Sequence, residues 1–253
     1  MYIISLLIST IQSRPYVFFY TAVALIIAYY YIGTIRTIIF WIIGYLTAFI
    51  CEYSSTRNGF PFGLYHYINK NPHELYISNV PFWDSLSFAF LSFAGFTLAT
   101  FIIAAYKKKP PLTIRHSPFV LLLTPFLVTF VDIIVDPIAH LGDRWFLGKI
   151  YYYEYPGLYF DVPISNFLGW YFVCFITILI FQIIDRLLLK KIPFPQTYEK
   201  NVHIATLIFY FVIVIFHIGI AFSIKEPRMG FVDIFLFIPL AYWIIKAYKK
   251  HYE

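Results

Sequence analysis

Asp132, Asp136 and His140 recur at intervals of four in Val131-Asp-Ile-Ile-Val-Asp-Pro-Ile-Ala-His140, within an otherwise apolar stretch. On a helix this spacing stacks the three side chains on one face. Ionisable groups at membrane depth are costly unless paired or hydrated, so two neighbouring acids there mark a functional site by default. A carboxyl in apolar surroundings can stay protonated at neutral pH and serve as a proton donor, provided that a second carboxyl or a hydrogen-bond donor stabilises the anion left behind. Such a pair is equipped to donate a proton. Glu52, at the end of an earlier apolar stretch on the same side, adds a third acid, so that three acids and an imidazole could meet at one depth. Pro137 disturbs the last turns of the helix, because it supplies no amide and crowds the carbonyl four residues back. The structural alternative is that the aspartates satisfy polar groups on neighbouring helices and that His140 bonds interfacial backbone.

Two further segments carry polar groups in unusual settings. In Glu52-Tyr-Ser-Ser-Thr-Arg-Asn-Gly59-Phe-Pro-Phe-Gly63-Leu-Tyr65-His-Tyr67, Gly59, Pro61 and Gly63 force tight turns, while Thr56, Asn58, Tyr65 and His66 offer hydrogen bonds. This reads as a re-entrant or well-packed loop. It is not a phosphate-binding loop, since no Lys-Ser/Thr follows the glycines. In Pro156-Gly-Leu-Tyr-Phe-Asp161-Val-Pro163-Ile-Ser-Asn166-Phe-Leu-Gly169-Trp170, Asn166 taken alone reads as a helix cap; with Trp170 one turn on, it could instead present an amide to the site. Asp84, in Val80-Pro-Phe-Trp-Asp-Ser85, either caps a helix or enters the site.

The elements that must position these residues are transmembrane helices. Of the 253 residues 60% are apolar and 13% charged, and the mean hydropathy is +0.73, which excludes a water-soluble globule. The aromatic share of 23% exceeds what interfacial belts need and suggests an aromatic interior for a large apolar ligand. Seven spans are expected, at about 16–32, 37–53, 82–106, 117–140, 166–189, 202–224 and 231–248, preceded by a short interfacial segment without the features of a cleaved signal. The fold class is therefore all-α, a single polytopic bundle over 1–253 without internal repeats, whose chemistry-bearing part covers 52–170.

Arg36, Lys107, Lys108, Lys109, Arg115, Arg186, Lys190, Lys191, Lys200, Lys246, Lys249 and Lys250 fall at one set of helix ends, and Arg14, Arg57, Lys70, Arg144, Lys149, Lys225 and Arg228 at the other. The larger set faces the cytoplasm, which gives an N-out, C-in chain in the plasma membrane and accounts for the net charge of +6 without a nucleic-acid partner. The two longest connections, 54–81 and 141–165, then emerge together on the outer face. Cys51 and Cys174 lie in apolar stretches and read as packing residues.

The sequence resembles the membrane carotenoid-biosynthesis family that includes bisanhydrobacterioruberin hydratase and gamma-carotene 1′-hydratase. Three collinear blocks carry the resemblance: Glu52 with Thr56 and Gly59-Phe-Pro-Phe-Gly-Leu-Tyr65-His-Tyr67; Asp132 with Asp136-Pro137; and Val162-Pro163 with Asn166-Phe167 and Gly169-Trp170. Trp145 stands where the family has a Trp soon after the aspartate-proline pair, although the preceding Asp143-Arg144 departs from the pattern. The resemblance implies addition of water to the terminal isopropylidene double bond of an acyclic carotenoid, giving a tertiary alcohol without a redox cofactor or a metal. Its partners would be a long polyene, water, the bilayer and other enzymes of the pathway. In the expected site Asp136 or Asp132 is the acid that protonates the alkene and the other its partner, Glu52 or His140 orients the water, and Thr56, Phe62, Tyr65, Tyr67, Asp84, Asn166, Phe167 and Trp170 surround the substrate. Aromatic faces such as Trp170, Tyr65 and Phe167 would stabilise the intermediate cation. The same protonation could end in cyclisation or double-bond migration. A prenyltransferase reading of Asp132-x-x-x-Asp136 lacks a second such motif and the basic residues for a diphosphate. Intramembrane proteolysis would need acids on two facing helices. A proton-coupled transporter or lipid-binding protein would also bury these acids.

Overall fold

A computed structural model of the chain describes residues 2–68, 72–195 and 199–253; Met1 and Lys70 lie outside them. A short apolar helix, α1 (Tyr2–Ser13), precedes seven long ones: α2 (Pro15–Ile32), α3 (Thr34–Asn58), α4 (Phe82–Lys107), α5 (Pro118–His140), α6 (Ile164–Leu187), α7 (Glu199–Ser223) and α8 (Pro227–Tyr252). All seven are long and apolar enough to cross a membrane, and the protein is a multi-pass membrane protein. The expected spans are all present. Their ends differ by a few residues: α3 runs on to Asn58 until Gly59 ends it in a left-handed conformation, and α6 begins at Ile164, just after Pro163.

Helix α4 runs through the middle of the bundle. Its sequence is apolar on all sides, as a fully enclosed helix requires. Small residues such as Ser85, Ala89, Ser92, Gly95 and Ala99 are buried along it and let neighbouring helices approach. A Cβ on Gly95 would come within 2.7 Å of Val128 on α5, so that crossing depends on glycine.

At the end of the bundle formed by the C-terminus of α4, Asp185 of α6 is fully buried and gathers three donors. Arg36 Nε lies 2.6 Å away, Arg115 Nε 2.6 Å and His116 Nε2 2.7 Å. Arg36 also donates to the carbonyls of Leu189, Ile192 and Pro193, and Phe194 lies against both guanidinium groups. This network ties α3, the segment before α5, α6 and the 188–194 connection together. It consumes charges that the sequence reading assigned only to orientation.

The two long connections meet at the opposite end, as expected. Strand β1 (Tyr65–Tyr67) pairs antiparallel with β4 (Tyr151–Tyr153), setting Tyr65 opposite Tyr153 and Tyr67 opposite Tyr151. Between them β2 (Tyr76–Ile77) and β3 (Val80–Pro81) form a second small pair leading into α4. The segment after Gly59 is thus a turn and a strand of a two-stranded ribbon, and within the turn Ser55 Oγ accepts from Phe62 N.

Candidate functional site

The ribbon places a layer of phenols over the ends of α4, α5 and α6. Side chains alternate along a strand, so Tyr65 and Tyr67 on β1 and Tyr151 and Tyr153 on β4 share the inward face. His66 and Tyr152 take the other face, where His66 Nε2 lies 2.9 Å from Glu154. Burial pushes the phenols of Tyr65, Tyr67, Tyr151 and Tyr153 well above the usual tyrosine range, and nearby carboxylates push in the same direction. All four therefore remain protonated and available as donors at neutral pH.

Asp136 on α5 is where the donors converge. Tyr151 Oη donates to its Oδ1, Tyr153 Oη donates to Oδ2 at 2.7 Å, and Asn166 Nδ2 donates to Oδ2 at 3.2 Å. The same amide donates to Asp132 Oδ2 at 2.8 Å. Asn166 is the third residue of α6, which follows Pro163 with no side-chain cap, so the amide serves the aspartates and the capping alternative is corrected. One turn of α5 thus presents two buried carboxyls, of which Asp136 has three donors and Asp132 one.

A second pair of acids faces them from α3 and α4. Glu52 accepts from Ser85 Oγ at 2.7 Å, and Asp84, the third residue of α4, accepts from Tyr67 Oη at 2.7 Å. Tyr67 Oη in turn lies 3.3 Å from Tyr65 Oη. Asp84 therefore enters the site and does not cap α4. Trp170 stacks on Phe88, with ring centroids 4.6 Å apart, and meets Phe62 at 6.3 Å.

These groups enclose two adjoining cavities. The larger, about 370 Å³, is lined mainly by apolar and aromatic side chains, including Tyr16, Tyr20, Trp83, Phe90, Trp145 and Phe216, with Asp132 and Asp136 in one wall. The smaller, about 70 Å³, is lined by Glu52, Phe62, Tyr65, Asp84, Phe88, Asp136, Tyr151, Tyr153, Asn166 and Trp170. Asp84, Asp136, Tyr151 and Trp170 border both. The first has the size of a pocket for one end of a long apolar molecule. The second has room for a few waters and abundant polar partners for them.

Of the residues singled out from sequence, Asp132, Asp136, Glu52, Asp84, Phe62, Tyr65, Asn166 and Trp170 line these cavities, and Tyr67 touches the site through Asp84. Three others lie apart from them. The His140 ring packs against Tyr151 and Tyr153, 6.1 and 5.8 Å between centroids, and lines neither cavity. Thr56 bonds backbone and Asn79, and Phe167 packs edge-on against Tyr159. The sequence reading missed Tyr151, Tyr153, Ser85 and Phe88. A signal for the first two was present: Tyr-x-Tyr occurs in both long connections, the spacing that puts phenols on one strand face. Among the described residues no three His, Cys, Asp or Glu side chains converge as a metal site.

Over residues 13–239 the chain matches a family described as carotenoid biosynthesis protein. No curated protein matches it, and no solved structure does.

Proposed function

The chain belongs to the carotenoid biosynthesis protein family, and from that premise we propose that it hydrates the terminal isopropylidene double bond of an acyclic carotenoid to a tertiary alcohol, as a cofactor-independent lyase. The observation that carries this reading is the pair of cavities meeting at Asp136, one suited to an apolar chain end and the other to water.

The alkene end lies in the larger cavity against Asp132. Asp132 borders only that cavity and has a single donor, which suits it to the role of carboxylic acid. Its proton passes to the alkene carbon that bears hydrogen, and the positive charge develops on the carbon bearing two methyl groups. The face of Trp170, held flat by Phe88, stabilises that cation by about 2 kcal/mol or more in a desolvated site. Asp136, whose three donors suit the anion, adds the opposite charge alongside.

Water in the smaller cavity, oriented by Glu52 and Asp84, attacks the cation and forms the C–O bond. The resulting oxonium is a strong acid and yields its extra proton to Asp136, which borders both cavities. Redistribution of that proton to Asp132 restores the pair, so that alkene and water are consumed and the alcohol alone is made. His140 lines neither cavity and takes no part in this sequence.

The test is expression in a host that accumulates acyclic carotenoids, with pigments separated and weighed by mass spectrometry. A new, more polar product heavier by one water is expected. Unchanged mass with altered retention would replace hydration with cyclisation or isomerisation, and unaltered pigments with both lycopene-like and longer precursors would overturn the reading.

A further inference from the structure

A substrate dissolved in lipid must reach the larger cavity from the bilayer, and the wall of that cavity shows where. Three of its lining residues form a row between α2 and α7: Tyr16 at the start of α2, Phe146 on the connection after α5, and Phe216 on α7. Phe146 sits between the other two, its ring 5.7 Å from Tyr16 edge-on and 6.3 Å from Phe216. Deeper in the membrane the same two helices touch through Tyr20 and Phe209, with ring centroids 5.7 Å apart. The helices are thus in contact at depth and spanned by a loop phenylalanine nearer their ends.

This row lies on the outside of the bundle as well as in the cavity wall. Phe146 is 65% exposed and Phe216 38% exposed, while both line the cavity. Phe216 stands seven residues before the end of α7, about 10 Å along the helix axis, which places it at membrane depth. Its neighbours Val212 and Ile215 and, on α2, Phe19 are exposed and apolar. The surface around the row therefore faces acyl chains. The connection that carries Phe146 is anchored on one side, because Arg14 donates to the carbonyl of Leu147 and to Glu74.

We propose that the gap between α2 and α7 is a lateral portal, with Phe146 as its aromatic plug, through which one end of a polyene slides from the bilayer into the larger cavity. The identity of the ligand rests on the carotenoid reading above; the position of the portal rests on the packing alone. Swinging out one exposed loop side chain opens the wall without separating α2 from α7 at Tyr20 and Phe209. A long polyene can then leave its remainder in the bilayer while its end meets Asp132.

The test replaces Phe146 and Phe216 by cysteine in a chain whose Cys51 and Cys174 are changed to alanine, and joins them with a short cleavable bifunctional thiol reagent. The protein is exposed to lycopene in membranes, washed, and its retained pigment measured by absorbance. Linking before exposure should cut loading by about tenfold or more, and cleavage should restore it. Linking after exposure should trap the pigment. Phe146→Ala, which needs no linker, should load faster than the wild type. Full loading of the linked protein, or wild-type loading by Phe146→Ala, would overturn the portal. Lycopene and a longer acyclic carotenoid each retained but chemically unaltered would overturn hydration and leave the portal standing, so the two proposals fail separately.

Discussion

At the scale of single residues the site divides its labour between two carboxyls that one amide bridges. Asp132→Asn and Asp136→Asn should each leave a folded membrane protein and reduce turnover by about 10²–10⁴, the usual contribution of a positioned acid or base. Pigment conversion at matched protein levels checks this, and full activity in both variants would remove the pair from the mechanism. Tyr151→Phe and Tyr153→Phe each delete one donor to Asp136 and should cost less, about ten- to hundredfold. His140→Ala should retain turnover within a few-fold, because its ring lies outside both cavities; a loss as large as that of Asp136→Asn would return His140 to the chemistry. The acids were legible from sequence because charge inside an apolar stretch is conspicuous. The phenols were not, since a tyrosine in a chain this rich in aromatics has no contrast with its surroundings.

At the scale of elements, the spans could be read from apolar length alone, and the meeting of both long connections followed from counting crossings. What could not be read was their pairing. The partner residues of β1 and β4 are more than eighty positions apart, and three-residue strands leave little periodic trace. The turn that leads into β1 explains why α6 needs Gly169. A Cβ there would come within 2.6 Å of the Phe62 ring and 2.9 Å of Phe62 Cα, so Gly169→Ala should push the turn away from Trp170 and lower activity more than thermal stability. Parallel unfolding and conversion measurements compare the two effects. At the other end, Asp185→Asn leaves Arg36 buried beside a neutral group. Loss of a buried charge partner costs about 3–5 kcal/mol, so this variant should melt earlier in detergent. The folded fraction should still convert pigment, because Asp185 borders neither cavity.

At the scale of the whole molecule, more of the basic residues lie at the end away from the ribbon than beside it, and the positive-inside rule predicts from this that the ribbon faces outward. An impermeant thiol reagent added to intact cells should label Leu158→Cys, at a position 99% exposed on the loop before α6, and spare Lys108→Cys after α4. The reverse pattern would invert the topology. The bundle as a whole brings an apolar cavity and a small polar one together among six helices, α2 to α7, and the account depends on both being used in a single turnover. The most direct test is conversion by purified protein in a lipid environment prepared with ¹⁸O-labelled water and, separately, with heavy water. The account predicts one ¹⁸O in the new hydroxyl and one carbon-bound deuterium beside it. A product with deuterium on carbon but no ¹⁸O would mean that the acid works without hydration, and a product with neither label would contradict protonation of the alkene altogether.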